Sequence, residues 1–214
     1  KVLTSLVGRS AASRGRASEA GMAEDSDADI ASADMILSIV PPGDALGLAE
    51  RLAFALKAAS KPALYVDCNA VSPQTVGGIA AVIEAAGAPF ADAGIIGGPP
   101  APGYTPAIYA SGAQARLFAT LNSHGLDIRA MDGPVGQASA LKMCYAGLTK
   151  GLHAVGVAVI RGAIEAGVDD TFLAELAESQ PQLLAYFTQR TPRIFGKAYR
   201  WVAEMREIGD FLGG

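Results

Sequence analysis

The 214-residue sequence predicts a doubly wound α/β sheet followed by an all-α domain. Three observations carry that expectation. Short apolar runs of β type alternate with helical segments as far as about residue 131. One of these runs, Met35–Val40, is nearly continuous in its apolar character, as a strand covered on both faces should be. After Gly136 the composition turns Ala/Leu/Val-rich with only isolated glycines as breakers, which reads as one long helix over Gln137–Ala166. The expected division is a sheet domain over residues 1–135 and a helical domain over 136–214.

In chain order, strands are expected at Val2–Val7, Met35–Val40, Ala63–Asp67, Phe90–Ile95, Ala107–Ala110 and Asp127–Met131. The first helix lies at Gly43–Lys57, where Leu48, Leu52 and Leu56 recur every four residues and mark a buried face. The second, Ser72–Ala86, opens with a capping serine and a proline at its first position, and it stops at Gly87. A third is expected at Ala113–Asn122. Gly97-Gly98-Pro99-Pro100 marks a loop. The long helix has possible weak points at Gly147 and Gly151, and shorter helices follow at Thr171–Glu178, Gln180–Arg190 and Pro192–Phe211.

Composition narrows the function. Half the residues are hydrophobic and 18% are charged, which favours a packed core over a disordered chain. A net charge of −4 argues against a nucleic-acid partner held by a basic surface. Cys68 and Cys144 stand far apart, and His124 and His153 stand alone, so neither a metal site nor a disulfide framework is expected. Both cysteines read as small buried hydrophobes. The longest candidate for a spanning stretch, Leu152–Ile160, is short and contains His153, so no membrane partner is expected. With no signal peptide in view, the chain is expected in the reducing cytoplasm, acting on a small molecule. It begins at Lys1, not at methionine, and a strand follows at once, so it is expected to be a piece of a longer protein.

The residues that could carry chemistry cluster at predicted strand ends, which border the ligand crevice in open α/β sheets. Arg9 and Ser10 follow the first strand, with Arg14 and Arg16 close behind. Arginine offers a planar fork for phosphate and serine a further donor; a solvated basic loop is the plain alternative. Val40-Pro41-Pro42 and Asp67-Cys68-Asn69 end two strands, where turn chemistry alone could explain them. In Asp92-Ala93-Gly94-Ile95-Ile96-Gly97-Gly98, adjacent glycines could present backbone N–H groups to a carboxylate, or simply form a tight turn. Lys142 lies about two turns into the long helix and shares a face with Tyr145, Thr149 and His153. A partly desolvated lysine can exchange a proton near neutrality, whereas an ordinary one snorkels to water.

Taken together and in this order, Gly8-Arg9-Ser10, Ser38–Pro42, Asp67–Ala70, Asp92–Gly98 and Gly136–Lys142 resemble the β-hydroxyacid dehydrogenase family, which includes 3-hydroxyisobutyrate and 6-phosphogluconate dehydrogenases. The helical half resembles a C-terminal domain of unknown function from a bacterial branch. The resemblance implies a Rossmann-like domain followed by a helical one, and hydride transfer between a nicotinamide and a small hydroxy acid. It implies Lys142 as the catalytic acid/base. Ile96, Gly97, Gly98 and Tyr145 would meet the substrate. Val40, Pro41 and Asn69 would lie beside the cofactor, and Arg9 and Ser10 at a 2′-phosphate, so NADP is favoured over NAD. A homodimer through the helical domain would cover Phe187, Phe195, Tyr199 and Trp201.

Three departures accompany the resemblance. The Gly-rich pyrophosphate loop is expected upstream of Lys1, and the C-terminus is expected to be cut as well. Ile96 stands where the family places a substrate-binding serine, and Ala146 where it places asparagine; Tyr145 or Thr149 could fill the latter role. Ile96 and Ala146 leave room for an imine reductase, or for a nucleotide-binding sensor without catalysis.

Overall fold

A computed structural model describes residues 1–196 and 198–213 and divides the chain into two compact units, Lys1–Lys142 and Met143–Gly214. The division falls inside the long helix, because its first turns are bonded to the sheet of the first unit.

The first unit holds two sheets. β1 (Leu3–Thr4) and β2 (Ala23–Glu24) form a parallel pair joined through α1 (Ala11–Glu19). The larger sheet follows sequence order, β3 (Met35–Ser38), β4 (Leu64–Asp67), β5 (Phe90–Ile96), β6 (Ala107–Ser111) and β7 (Asp127–Ala130). All its pairs are parallel except β5 with β6, so the sheet is mixed. Side-chain alternation splits β4 between two cores. Tyr65 joins Leu52, Leu56, Ile79 and Ile83 beneath α3 (Ala45–Ala58) and α4 (Pro73–Ala85). Leu64 and Val66 join Ile108 and Phe118 on the other face, beneath α5 (Ala115–Phe118). Burial on both faces is why β4 and most of β5 are apolar almost throughout, whereas β3, expected to be covered on both faces, is an edge strand that leaves Leu37 exposed.

Local signals act as expected in α4: the Ser72 hydroxyl accepts the Thr75 N–H at 3.2 Å, and Gly87 closes the helix at φ +84°. Elsewhere the structure corrects the reading. β1 is only two residues long, because Gly8 turns the chain at φ +71° and the Arg9 N–H closes on the Leu6 carbonyl. α1, β2 and α2 (Asp27–Ala31) were not anticipated: each is short, and α1 and α2 each bury only one alanine. The helix expected at Ala113–Asn122 is one α-turn followed by a 3₁₀ segment, Ala119–His124.

α6 (Gln137–Ala166), which enters the second unit at Met143, runs unbroken through Gly147 and Gly151. Gly167 ends it at φ +69°, with the Val168 N–H reaching back to the Ala163 carbonyl. α7 (Asp169–Ser179) and α8 (Pro181–Arg190) follow. The single helix expected at Pro192–Phe211 is instead two 3₁₀ turns and then α9 (Trp201–Gly213); the expectation also covered Lys197, which lies outside the described residues. Gly156 accepts the Phe187 ring, which occupies the space a β-carbon would need. Phe187 is thus buried inside this unit, not available to a partner, whereas Phe195 and Tyr199 are exposed. Cys144 is exposed, contrary to expectation, while Cys68 is buried. α6 also has the length and apolarity of a membrane-crossing helix, which the run-length reading missed. On this helix Lys150 pairs with Glu204, and His153 is held by Tyr186.

Candidate active site

β3, β4 and β5 run parallel, so their carboxyl ends share one edge of the sheet, with Ser38, Asp67 and Asp92 in register across it. Two buried carboxylates organise that edge.

Asp92 fastens α6 to β5. The N-cap position of α6 is Gly136, which has no side chain to cap with, and the sheet supplies the cap. Asp92 Oδ2 accepts the Gly136 N–H at 2.9 Å, the Ser139 N–H at 3.1 Å and the Ser111 hydroxyl at 3.0 Å. Its Oδ1 accepts the Ser139 hydroxyl at 2.7 Å. Ser111 Oγ in turn accepts the Ala138 N–H at 3.0 Å. A buried anion at a helix N-terminus also meets the favourable end of the helix dipole. Two residues along β5, Gly94 lets the helix come close: a β-carbon there would stand 3.0 Å from both the Ala138 carbonyl oxygen and Lys142 Cβ. Lys142 is thereby laid along the strand end, and its Nζ donates to the Ile95 carbonyl at 2.7 Å.

Beyond Ile95 the strand runs into Ile96, Gly97 and Gly98. Ile96 is half-buried and brings no polar group. Gly97 turns at φ +136°, and the Gly98 N–H donates to the Tyr104 hydroxyl at 3.1 Å.

The second carboxylate, Asp67, braces the neighbouring strand end. It accepts the Asn69 N–H at 3.0 Å and the Asn69 side-chain amide at 2.8 Å. The same amide donates to Ser38 Oγ at 2.8 Å, and Asn69 Oδ1 accepts the Val40 N–H at 2.7 Å. Asn69 is thus buried and fixes Val40 and Pro41 at the edge, with its polar groups turned inward. Burial pushes the Asp67 carboxyl up to about 6; the Asn69 bonds oppose the rise and the nearby Asp92 charge adds to it.

The remaining expected residues lie elsewhere. Ser10 caps α1, its hydroxyl accepting the Ser13 N–H at 3.2 Å. Arg14 is paired with Glu24 and bonded to the Leu6 carbonyl. Arg9 is exposed, and among the described residues its guanidinium has no partner. Tyr145 belongs to the second unit and is half-exposed. His153, also in the second unit, is buried against Tyr186. That hydroxyl reaches the Thr149 carbonyl at 3.3 Å and His153 Nε2 at 3.2 Å, and Thr191 Oγ1 lies 3.4 Å from Nδ1. Burial, aided by the Arg190 charge, lowers the His153 pKa. Of the expected set the structure brings together Lys142 with the Ile96–Gly98 loop, and Asn69 with Val40. Sequence reading missed the capping role of Asp92 with Ser111 and Ser139, the brace at Asp67, and Tyr104. A carboxylate inside each of two apolar strands was the available signal for the first two.

The profile of the NAD-binding domain of 6-phosphogluconate dehydrogenase matches residues 3–124. The chain belongs to that family. Within it, residues 163–214 match a domain of unknown function, DUF1932. A conserved protein of unknown function, described as structurally similar to 3-hydroxyacid dehydrogenases, is 34% identical over 99% of this chain and 80% of its own, with a TM-score of 0.75. A conserved hypothetical protein from Sinorhizobium meliloti 1021 is 30% identical over 94% of this chain and 68% of its own, with a TM-score of 0.69. An uncharacterized 28.5 kDa protein of Methanothermus fervidus is 28% identical over 183 residues. The chain spans 63% of that relative's length. The fold alone is shared with a Mycobacterium tuberculosis 3-hydroxyisobutyrate dehydrogenase at 19% identity and a Myxococcus stipitatus imine reductase at 17%.

Proposed function

We propose that this family member is an NADP-dependent oxidoreductase acting on the hydroxyl-bearing carbon of a small hydroxy acid or a related carbonyl compound. The observation that carries the reading is Lys142 Nζ held 2.7 Å from the Ile95 carbonyl, at the strand end that leads into Gly97–Gly98. The residues at hand fit a dinucleotide. Val40 and Pro41 are fixed at the carboxyl edge by Asn69, and Arg9 offers an exposed guanidinium immediately before the N-terminus of α1. Arginine at this point of the fold suits a 2′-phosphate, hence NADP in preference to NAD. When bound, the nicotinamide supplies or accepts the hydride. Lys142 Nζ takes the substrate's hydroxyl proton on oxidation and returns it on reduction, while its bond to the Ile95 carbonyl holds the nitrogen at the strand end. Residues Ile96, Gly97 and Gly98 are assigned to the substrate.

A homodimer through the helical unit and a cytoplasmic location belong to the same proposal. Exposed Leu148, Val155 and Val159 on α6, and an apolar cavity of about 160 Å³ between α6, α7 and α8, support the former. Unpaired Cys68 and Cys144 accord with a reducing compartment. Ile96 and Ala146 favour a second reading, imine reduction, which turnover of cyclic imines but not hydroxy acids would select. A sensor would bind nucleotide and turn over neither. Replacing Lys142→Met should lower kcat on a hydroxy acid by about 10²–10⁴-fold and leave nucleotide binding intact. Unchanged kcat would sink the assignment.

A further inference from the structure

We propose that Tyr104 supplies the hydroxyl of a carboxylate-binding site at Gly97–Gly98, and so sets the preference for acids over their neutral analogues. The inference rests on the reading of the glycine pair as the substrate's anchor.

The loop is built to bring this side chain back. Ala101-Pro102-Gly103-Tyr104 is a tight turn with proline and then glycine at its centre, and Gly103 has φ +76°. Ala101 and Tyr104 exchange both backbone hydrogen bonds, at 3.1 and 2.8 Å. Prolines at 99, 100, 102 and 106 restrict the rest of the connection. The phenol then lies over the glycine pair: a β-carbon on Gly97 would stand 2.2 Å from the Tyr104 oxygen, so only glycine admits it there. The phenol oxygen accepts the Gly98 N–H at 3.1 Å and keeps its own O–H to donate. Accepting one hydrogen bond polarises the hydroxyl and makes it a better donor to an anion. Ile96, at the strand end beside it, offers no donor. Lys142 is anchored at Ile95, three residues before Gly98, so the acid/base and the anion donor stand on one short stretch of chain.

A carboxylate accepts such a bond as a charged partner and an amide only as a neutral one. The test uses the full chain, isotope-labelled, with isobutyrate and isobutyramide as probes and the Gly98 amide resonance as readout. Isobutyrate should bind wild type saturably and about tenfold or more tighter than isobutyramide. Tyr104→Phe should weaken isobutyrate by about tenfold to a hundredfold and leave isobutyramide within about twofold. Unchanged or tighter isobutyrate binding by Tyr104→Phe would overturn the proposal, since the hydroxyl would then merely cover the Gly98 N–H. Absence of an isobutyrate response in wild type would overturn it too. Turnover of a hydroxy acid, measured on the same samples, separates the two readings. Tyr104-dependent binding without turnover refutes the dehydrogenase and leaves this site standing; turnover indifferent to Tyr104→Phe does the reverse.

Discussion

Removing the Asp92 carboxylate should loosen the start of α6 more than any comparable change in the first unit. The carboxylate accepts four hydrogen bonds while fully buried, three of them at Oδ2. A bond to an ionised acceptor contributes about 1.5–3 kcal/mol and a neutral one about 0.5–1.5. Asp92→Asn keeps an acceptor at the Oδ2 position and loses the charge. It should cost about 1 kcal/mol at each of those three bonds, about 3 kcal/mol in all, less whatever burying the anion had cost. Asp92→Ala leaves the Gly136 and Ser139 N–H groups without acceptors at about 1–3 kcal/mol each, and should cost about 4–5 kcal/mol. Urea denaturation gives both values, and amide hydrogen exchange at Gly136 and Ser139 locates the loss. If Asp92→Ala cost under about 1 kcal/mol and left both amides protected, the capping argument would be wrong.

Two pH dependences of opposite sign follow. Asp67, pushed up from 3.8 to about 6, binds a proton more readily folded than unfolded, so its contribution is fully present below about pH 4 and is lost as pH rises through 6. That rise corresponds to about 3 kcal/mol, and Asp67→Asn should flatten that limb of the urea midpoint against pH. The His153 pKa is lowered in the folded state, so the unfolded chain takes up the proton first and stability falls as pH drops below the ordinary value of 6.5. His153→Gln should remove that acid-side loss, and an identical pH profile in wild type and variant would refute it.

Much of the fold was legible because burial leaves a pattern. Strands β3, β4 and β5 announce themselves by apolar runs, and α6 by its composition and by Gly167 at its end. The antiparallel placing of β6 was not legible, because side-chain alternation carries no strand direction. α1 and β2 were missed because each buries almost nothing. At the site, sequence order alone put Lys142 on α6 and the glycines in the loop. It could not show that Asp92 caps a helix 44 to 47 residues downstream, since that bond belongs to the packing of helix on sheet. Nor could it show that Asn69 turns its amide inward to Asp67 and Ser38 and serves as a brace, because an exposed asparagine reads the same in sequence. Tyr104 was hidden by its turn: only the folded loop returns the hydroxyl to Gly98.

The most direct test of the central claim is a binding titration of the full-length protein with NADPH and NADH in parallel, repeated with Arg9→Ala. The account predicts tighter binding of NADPH, a loss of about tenfold to a hundredfold for NADPH with Arg9→Ala, and little change for NADH. Equal or tighter binding of NADH would contradict the role given to Arg9, and binding of neither nucleotide would contradict the oxidoreductase itself.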